Sequence, residues 1–159
     1  MFGIGDKILY PMHGAGVIVG IEESEILGEK KSYYVLKISG RDIKIMVPVE
    51  NSRKIGVRPV VSKEEVLGVI EVLKADPTAM PSNWNRRYRD NTDKLKSGNI
   101  DRVAEVVRNL SWADRRRKLS AVENKMLINA RQILISEMVL AGDMDVKDAS
   151  ALVDQAVKG

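Results

Sequence analysis

Apolar and polar positions in residues 1–61 alternate in the manner of short β-strands. Apolar runs rich in β-branched residues are separated here by glycine, proline and serine: Ile8–Tyr10, Val17–Ile21, Ser32–Ile38 and Asp42–Pro48. In the last run Ile43, Ile45 and Val47 lie on one face of an extended chain, while Lys44 and Met46 lie on the other. Four or five short strands in so few residues favour a small, strongly bent sheet or barrel. Such a barrel has no room for a buried active site and suits the presentation of an edge strand to another protein.

The spacing of apolar positions becomes helical from residue 62 onward. Ser62 and Glu65 form a capping box, after which Val66, Ile70 and Leu73 recur at helical intervals. Polar capping residues predict that helices begin after Ser62, Ser82, Asn99, Ser120 and Asp145. The sequence therefore predicts an α+β protein, with a β domain over residues 1–61 and an all-α bundle of about five helices over residues 62–159.

Positive charge is concentrated in the middle of the chain. The whole sequence holds 26 Lys and Arg against 22 Asp and Glu, and this net charge of +4 favours acidic partners only weakly. Residues 84–118 alone hold 11 basic and 5 acidic side chains. The two densest points are Arg86–Arg89 and Arg115–Lys118, so an acidic partner is expected to meet this region.

The composition argues against several classes of protein. The chain has no cysteine and one histidine, His13, so disulfides and metal clusters built on thiolates or imidazoles are not expected. No nucleophile or paired carboxylate accompanies His13, which argues against an enzyme with a small-molecule substrate. The N-terminus lacks the pattern of a secretory signal, and no apolar run reaches the length of a membrane helix. We expect a cytoplasmic, non-enzymatic protein without a cofactor, a metal or a membrane contact.

One short segment, Asn83–Asp90, interleaves two aromatic rings with three arginines in a chain that is only 4% aromatic. Arginines neutralise phosphates, and a flat ring stacks on a base or opens a base step, so this mixture is typical of a DNA contact. Trp84 is expected in the first helical turn, where its side chain can extend into solvent, while Tyr88 and Leu95 dock inward.

A purely structural interpretation of the same segment stays open. Trp84, Tyr88 and Leu95 fall within about 40° on a helical wheel and would then form the buried stripe of their helix. Arg86 and Arg89 would form exposed ion pairs with the aspartates four positions further on. Such exposed pairs contribute little to stability and do not explain three arginines, so contact with phosphate is at least as good an interpretation.

The remaining basic positions leave the same two alternatives. The run Arg115–Lys118 is typical of a solvated loop and would otherwise be a secondary contact with the DNA backbone. Lys125 lies early in a long predicted helix, and the same two interpretations apply to it: a solvated side chain or a contact with the DNA backbone. Trp112 is expected to seal the helical bundle rather than to meet a ligand.

Several separated motifs together resemble those of a known family. They occur in the same order as in the CarD/CdnL transcription regulators of bacteria, nearly from end to end of the chain: Gly5–Gly14, Val47–Asn51, Gly56–Arg58, Asn83–Tyr88 and Ala130–Leu134. The resemblance implies a Tudor-like, SH3-like N-terminal domain that binds the β subunit of RNA polymerase, similar to the polymerase-interacting module of the transcription-repair coupling factor. It also implies a helical domain that binds promoter DNA at the upstream edge of the transcription bubble.

The resemblance assigns roles to particular residues. A tryptophan of the family wedges into the minor groove, and Trp84 matches it, with Arg86, Arg87 and Arg89 on the DNA backbone and Lys125 as a further candidate contact. On the polymerase side some relatives have arginines where this chain has Ser24 and Met46. Docking is therefore expected to depend on strand pairing and on apolar contact by Ile26 and Met46, beside Ser24.

These inferences give one favoured hypothesis and one alternative. The favoured hypothesis is a transcription factor that binds the polymerase β subunit and double-stranded promoter DNA and stabilises the open complex. The alternative is a protein-interaction adaptor whose β domain docks a partner and whose bundle does not bind DNA directly. A DNA-binding titration at two salt concentrations distinguishes the two hypotheses, because only direct contact with phosphates makes binding sensitive to salt.

Overall fold

A computed structural model describes residues 1–158 as an antiparallel sheet followed by helices. The strands are β1 (Lys7–Tyr10), β2 (Gly14–Ile26), β3 (Glu29–Ile38), β4 (Lys44–Pro48) and β5 (Arg58–Pro59). The helices are α1 (Lys63–Lys74), α2 (Trp84–Lys96), α3 (Ile100–Arg116), α4 (Ala121–Gly142) and α5 (Val146–Lys158). The predicted α+β class, with strands first and helices after them, is confirmed. None of the helices in the described part of the chain has the length and apolar character needed to cross a membrane.

The sheet has the strand order β4-β3-β2-β1-β5 and encloses its own small core. Buried apolar side chains from every strand except β5, with Val57 just before it, form that core: Ile8, Ile18, Tyr34, Leu36, Ile38, Val47 and Val57. A bulge between Ile18 and Gly20 shifts the register of β2 against β3, and bulges of this kind bend a strand strongly. Gly16 lies so close to the Lys37 carbonyl that any larger residue would clash with it. The number of short strands led to the expectation of a bent sheet, and the bulge shows where β2 departs from regular pairing.

The helices begin at polar caps, as the sequence predicted, with one shift. Ser62 forms the expected capping box with Glu65, and Ser120 accepts a hydrogen bond from the amide of Glu123. Helix α2, however, is capped by Asn83 and not by Ser82, because the Asn83 side chain accepts a hydrogen bond from the Arg86 amide. Asparagine and serine cap helices about equally well, so sequence alone could not choose between neighbours.

The sheet and the helices share a buried interface. Leu9 and Ala15 of the sheet pack into the apolar core of the helices. The amide of Ala15 donates to Ser136 Oγ of α4 at 2.8 Å, and that hydroxyl donates to the carbonyl of Ile133 at 2.6 Å. A shared apolar core and these hydrogen bonds join the sheet to the helices. The division into domains of residues 1–61 and 62–159 stays a prediction.

A buried ion pair crosses this interface. Glu137 of α4 is 1% exposed and accepts two hydrogen bonds from the Arg58 guanidinium, at 2.7 and 2.9 Å. The amide of Val61 donates to the same carboxylate at 2.9 Å, and Arg58 Nε donates to the Gly98 carbonyl at 2.8 Å. A buried charge is tolerated only when its hydrogen bonds are satisfied, so the carboxylate fixes β5 against α4. Arg58 also joins β5 to the turn between α2 and α3.

Replacing Arg58 by alanine is therefore expected to destabilise the protein strongly. The change leaves Glu137 buried without its cation, and removal of one partner of a buried pair costs about 3 to 5 kcal/mol. The partial exposure of Arg58 places the expected loss at the lower end, about 3 kcal/mol, in the free energy of unfolding measured by urea denaturation.

The matched control for this prediction is Arg131→Ala. Arg131 pairs with Asp154, whose side chain is 52% exposed, and such pairs contribute less than about 1 kcal/mol. Equal losses in the two variants would contradict a special role for the buried pair.

Candidate nucleic-acid interface

Helix α2 carries an exposed pair of stacked aromatic rings at its start. Trp84 is the first residue of the helix, and its ring lies parallel to that of Tyr88 with the centroids 5.4 Å apart and 5° between the planes. Trp84 is 40% exposed and Tyr88 is 37% exposed. The expectation that Tyr88 docks inward is wrong, whereas Leu95 is buried as predicted. The buried residues of the helix are Asn91 and Leu95, in its middle and second half, and the two rings near its start stay exposed.

Two of the three arginines beside these rings are free to meet a ligand. Arg86 and Arg89 are both exposed, and neither takes part in an ion pair with any of residues 1–158. The alternative pairing with Asp90 and Asp93 is therefore not formed. The first two turns of α2 thus carry two guanidinium groups without an ion pair as well as the two rings, and the helix dipole adds its own attraction for anions there.

The third arginine is bound within the molecule. Arg87 donates two hydrogen bonds to Glu123 of α4, at 2.7 and 3.1 Å, and its Nη1 donates to the carbonyls of Pro81 and Ser82. The hydrogen bond to Glu123 raises the pKa of Arg87, and the same bond holds the pKa of the Glu123 carboxyl below its ordinary value. Arg87 thus fixes the direction in which α2 leaves the bundle.

The segment that precedes α2 is pinned from the other side. Thr78 donates its amide to Asn109 Oδ1 at 3.1 Å, and its hydroxyl accepts a hydrogen bond from Asn109 Nδ2 at 2.9 Å. Arg108, which is buried, donates to the Val72 carbonyl, to Thr78 Oγ1 and to Asn109 Oδ1. The linker between α1 and α2 therefore has a defined path, although its prolines alone predicted only a break.

A groove of about 700 Å³ runs between the start of α2, this linker and the end of α3. Trp84 and Trp112 both line it, with Arg117 and Lys118 from the loop before α4. Trp112 is 38% exposed and carries the Arg116 guanidinium 4.6 Å from its ring centre. The expectation that Trp112 seals the bundle is thus wrong, and sequence reasoning missed its place beside Trp84. The proximity of Trp112 to the basic run Arg115–Lys118 was the available signal.

The last predicted DNA contact, Lys125, is exposed on α4 two positions after Glu123. Two positions correspond to about 200° around a helix, so Lys125 lies on the opposite side of α4 from Glu123 and its contact with Arg87. Its role remains a prediction.

The three predicted polymerase contacts lie on one face of the sheet. Ser24 pairs with Lys31, Ile26 pairs with Glu29, and Met46 of the edge strand β4 pairs with Val35. Directly paired residues share a face, and the three β3 partners are an even number of positions apart, so all three candidates share that face. Ile26 is 50% exposed and Met46 is 41% exposed. This face and the outer edge of β4 are accessible. Ile26 and Met46 lie about 20 Å apart on it, because their partners are six positions apart along β3, and Lys31 lies between those partners.

The single histidine lies apart from both surfaces in the turn between β1 and β2. His13 stacks on Tyr10 with the ring centres 4.3 Å apart, and partial burial lowers its pKa. Within residues 1–158, no group of three or more histidine, aspartate or glutamate side chains is arranged to hold a metal ion.

A five-stranded β module joined to a helical bundle, whose second helix carries an exposed aromatic pair, gives the chain a two-part architecture. The CarD-like/TRCF RID domain matches residues 2–61, and the CarD C-terminal domain matches residues 68–154. The chain belongs to the CarD family of transcription regulators. It is also 42% identical, over 138 residues, to a Bacillus subtilis (strain 168) protein named "Putative transcription factor YdeB". That match covers 87% of this chain and 90% of the relative.

The Arg87–Glu123 pair predicts a pH dependence of stability. The pKa of Glu123 in the folded protein lies below its ordinary value of 4.5, so the pair contributes its full stabilisation above that pH and loses it as the pH falls further. Wild type is expected to be more stable than Glu123→Gln at pH 7, and the gap should narrow toward about pH 3. Urea denaturation at both pH values measures this difference in the free energy of unfolding. A gap that keeps its size would show that this carboxylate does not gain from the arginine.

Proposed function

We propose that this protein binds the β subunit of RNA polymerase through its sheet and double-stranded promoter DNA at the upstream edge of the transcription bubble through its helices. In this role it stabilises the open complex in the bacterial cytoplasm and needs neither a cofactor nor catalytic chemistry. The observation that supports this proposal most directly is the exposed, stacked pair of Trp84 and Tyr88. The same helix carries the free guanidinium groups of Arg86 and Arg89.

The wedge acts by favouring separated strands over paired ones. Base stacking resists melting by about 1.4 kcal/mol per step, and an indole inserted at the junction replaces part of the lost stacking. Trp84 is backed by the parallel ring of Tyr88, so the indole is supported on one side and open on the other. A ligand shifts an equilibrium only by its differential affinity, and a difference of about 1.4 kcal/mol changes the ratio of open to closed complex tenfold.

The arginines divide the work of holding the DNA. Arg86 and Arg89 lie about 60° apart around the axis of α2 and are proposed to neutralise neighbouring phosphates of one strand, with Lys125 as a more distant contact. Arg87 is proposed to act mainly by orienting α2, because Glu123 and two carbonyls occupy its hydrogen-bond donors. Sequence readout is expected to be weak, since the minor groove distinguishes little beyond A·T from G·C.

The polymerase contact is proposed on the face and edge of the sheet that carry Ser24, Ile26 and Met46. An edge strand offers its free backbone groups to a strand of the partner, and apolar neighbours add contact area. The family match of residues 2–61 supports this assignment. Once the sheet is bound to polymerase, the effective concentration of the helices near the promoter DNA is high. The DNA contact therefore needs no high affinity of its own.

Replacing Trp84 by alanine is expected to shorten the lifetime of the open complex about tenfold and to leave polymerase binding unchanged. The ring is exposed, so its loss removes the wedge without opening a cavity in the core. The measurement is the decay of complexes formed with purified bacterial RNA polymerase after a competitor is added. Trp84→Phe serves as the control, because it keeps a stacking ring and should lose less. An unaltered lifetime in the alanine variant would refute the wedge.

Replacing both Arg86 and Arg89 by alanine is expected to flatten the salt dependence of DNA binding. Each lost phosphate contact lowers the slope of log affinity against log salt by about 0.9, so the double variant should lose about 1.8. Lys147→Ala and Lys63→Ala, made together, remove the same charge from exposed positions on other helices and should leave the slope nearly unchanged. If wild type itself shows no salt-sensitive binding, the protein is the adaptor of the alternative hypothesis.

A further inference from the structure

We infer that the groove between Trp84 and Trp112 binds one unpaired nucleotide of a separated DNA strand, with the base against the two indoles and its phosphate on the basic loop before α4. This inference rests on the proposed function and deepens it, because it assigns a destination to a base that the wedge has separated from its partner. The juxtaposition that carries it is two exposed tryptophans from different helices lining one groove with Arg117 and Lys118.

The walls of the groove suit a flat, mostly apolar ring. The chain has two tryptophans, and both line this groove while each keeps more than a third of its surface exposed. Prolines and leucine from the linker and the loop complete the wall: Pro77, Pro81 and Leu119. The volume of about 700 Å³ lies within the range of sites that take a small ligand. Aromatic side chains bind unpaired bases of any sequence, because every base has a π face.

The charge around the groove suits a phosphate. Arg115–Lys118 places four cations in succession at the end of α3 and in the loop that follows. The nearby carboxylates are already engaged, since Glu123 is held by Arg87 and Asp114 accepts a hydrogen bond from the Leu119 amide. The net charge at this rim is therefore positive. A nucleotide strand fits a cationic rim around an aromatic wall better than a neutral or basic peptide does.

The groove is formed before any ligand arrives. Thr78 is tied to Asn109, and the carbonyls of Pro81 and Ser82 accept hydrogen bonds from Arg87, so the linker wall has a fixed path. A site that needs no ordering keeps more of its interaction energy as affinity. Trp84 itself lines the groove, so a base displaced by this ring lies next to the proposed site.

The test uses the full chain and labelled forked DNA, without polymerase, at low salt. Each fork carries a normal nucleotide or an abasic one at one of the first few unpaired positions on either strand. Wild type is expected to bind about tenfold more weakly when the base at the occupied position is missing, which lies within the range measured for stacking on an aromatic ring. Trp112→Ala should lose about tenfold on the normal fork and nothing further on the abasic fork, as two changes that remove one interaction do.

Two control variants separate the groove from a general loss of structure. Trp112→Phe keeps a ring and should still respond to removal of the base. Leu152→Ala removes a comparably exposed apolar side chain from α5, outside the groove, and should bind both forks as wild type does. The inference is overturned if Trp112→Ala has no effect, or has the same effect on normal and abasic forks at every position.

The outcomes also separate this inference from the proposed function. If Trp84→Ala shortens the open-complex lifetime but Trp112 shows no coupling to a base, the wedge stands and the groove site falls. If Trp112→Ala shortens that lifetime without changing fork binding, the groove takes a segment of polymerase, and the nucleotide site is again overturned. A wild-type protein that binds no fork overturns the nucleotide site, while the wedge is still decided by the open-complex lifetime of Trp84→Ala with polymerase.

Discussion

The buried carboxylate of Glu137 is the constraint on which the arrangement of the two parts depends. Three donors converge on it, two from Arg58 and one from the amide of Val61. Removal of a carboxylate from water is costly, and the cost is offset only while all three donors are in place. A slight shift of β5 relative to α4 would strand a charge in the core. The pair therefore selects one relative position of sheet and helices more sharply than apolar packing does.

The same principle divides three neighbouring arginines between an internal ion pair and the exposed surface. Arg87 faces α4 and pairs with Glu123 there, while Arg86 and Arg89 are exposed and form no ion pair with the described residues. The division follows the helical repeat, since residues one and two positions away from Arg87 are rotated by about 100° and 200° around the axis. The three arginines are chemically identical, and their environments differ because only Arg87 faces a carboxylate of another helix. The exposed aromatic pair is possible because Arg87, and not an apolar stripe, anchors the start of α2.

Sequence reasoning gave the α+β order, four of the five helix starts and the burial of Leu95, because caps and apolar spacing are local signals. It placed Tyr88 inside and Trp112 as a seal, and the structure exposes both. A helical wheel shows which residues share a face, but not whether another element covers that face. The partner of Arg87 was hidden for the same reason, since Glu123 lies 36 residues away in the chain. The meeting of the two tryptophans likewise depends on the path of the linker.

Helix α4 connects the two proposed functions. It carries Glu123 near its start and Glu137 near its end, 14 residues and about 21 Å apart along a straight helix. The first carboxylate holds α2 through Arg87, and the second holds the sheet through Arg58. Polymerase docking alone would raise the local concentration of the wedge equally for closed and open DNA, which changes occupancy but not their ratio. In the proposed mechanism the ratio depends on the orientation of Trp84, and we propose that α4, with an ion pair near each end, couples the orientation of the sheet to that of the ring.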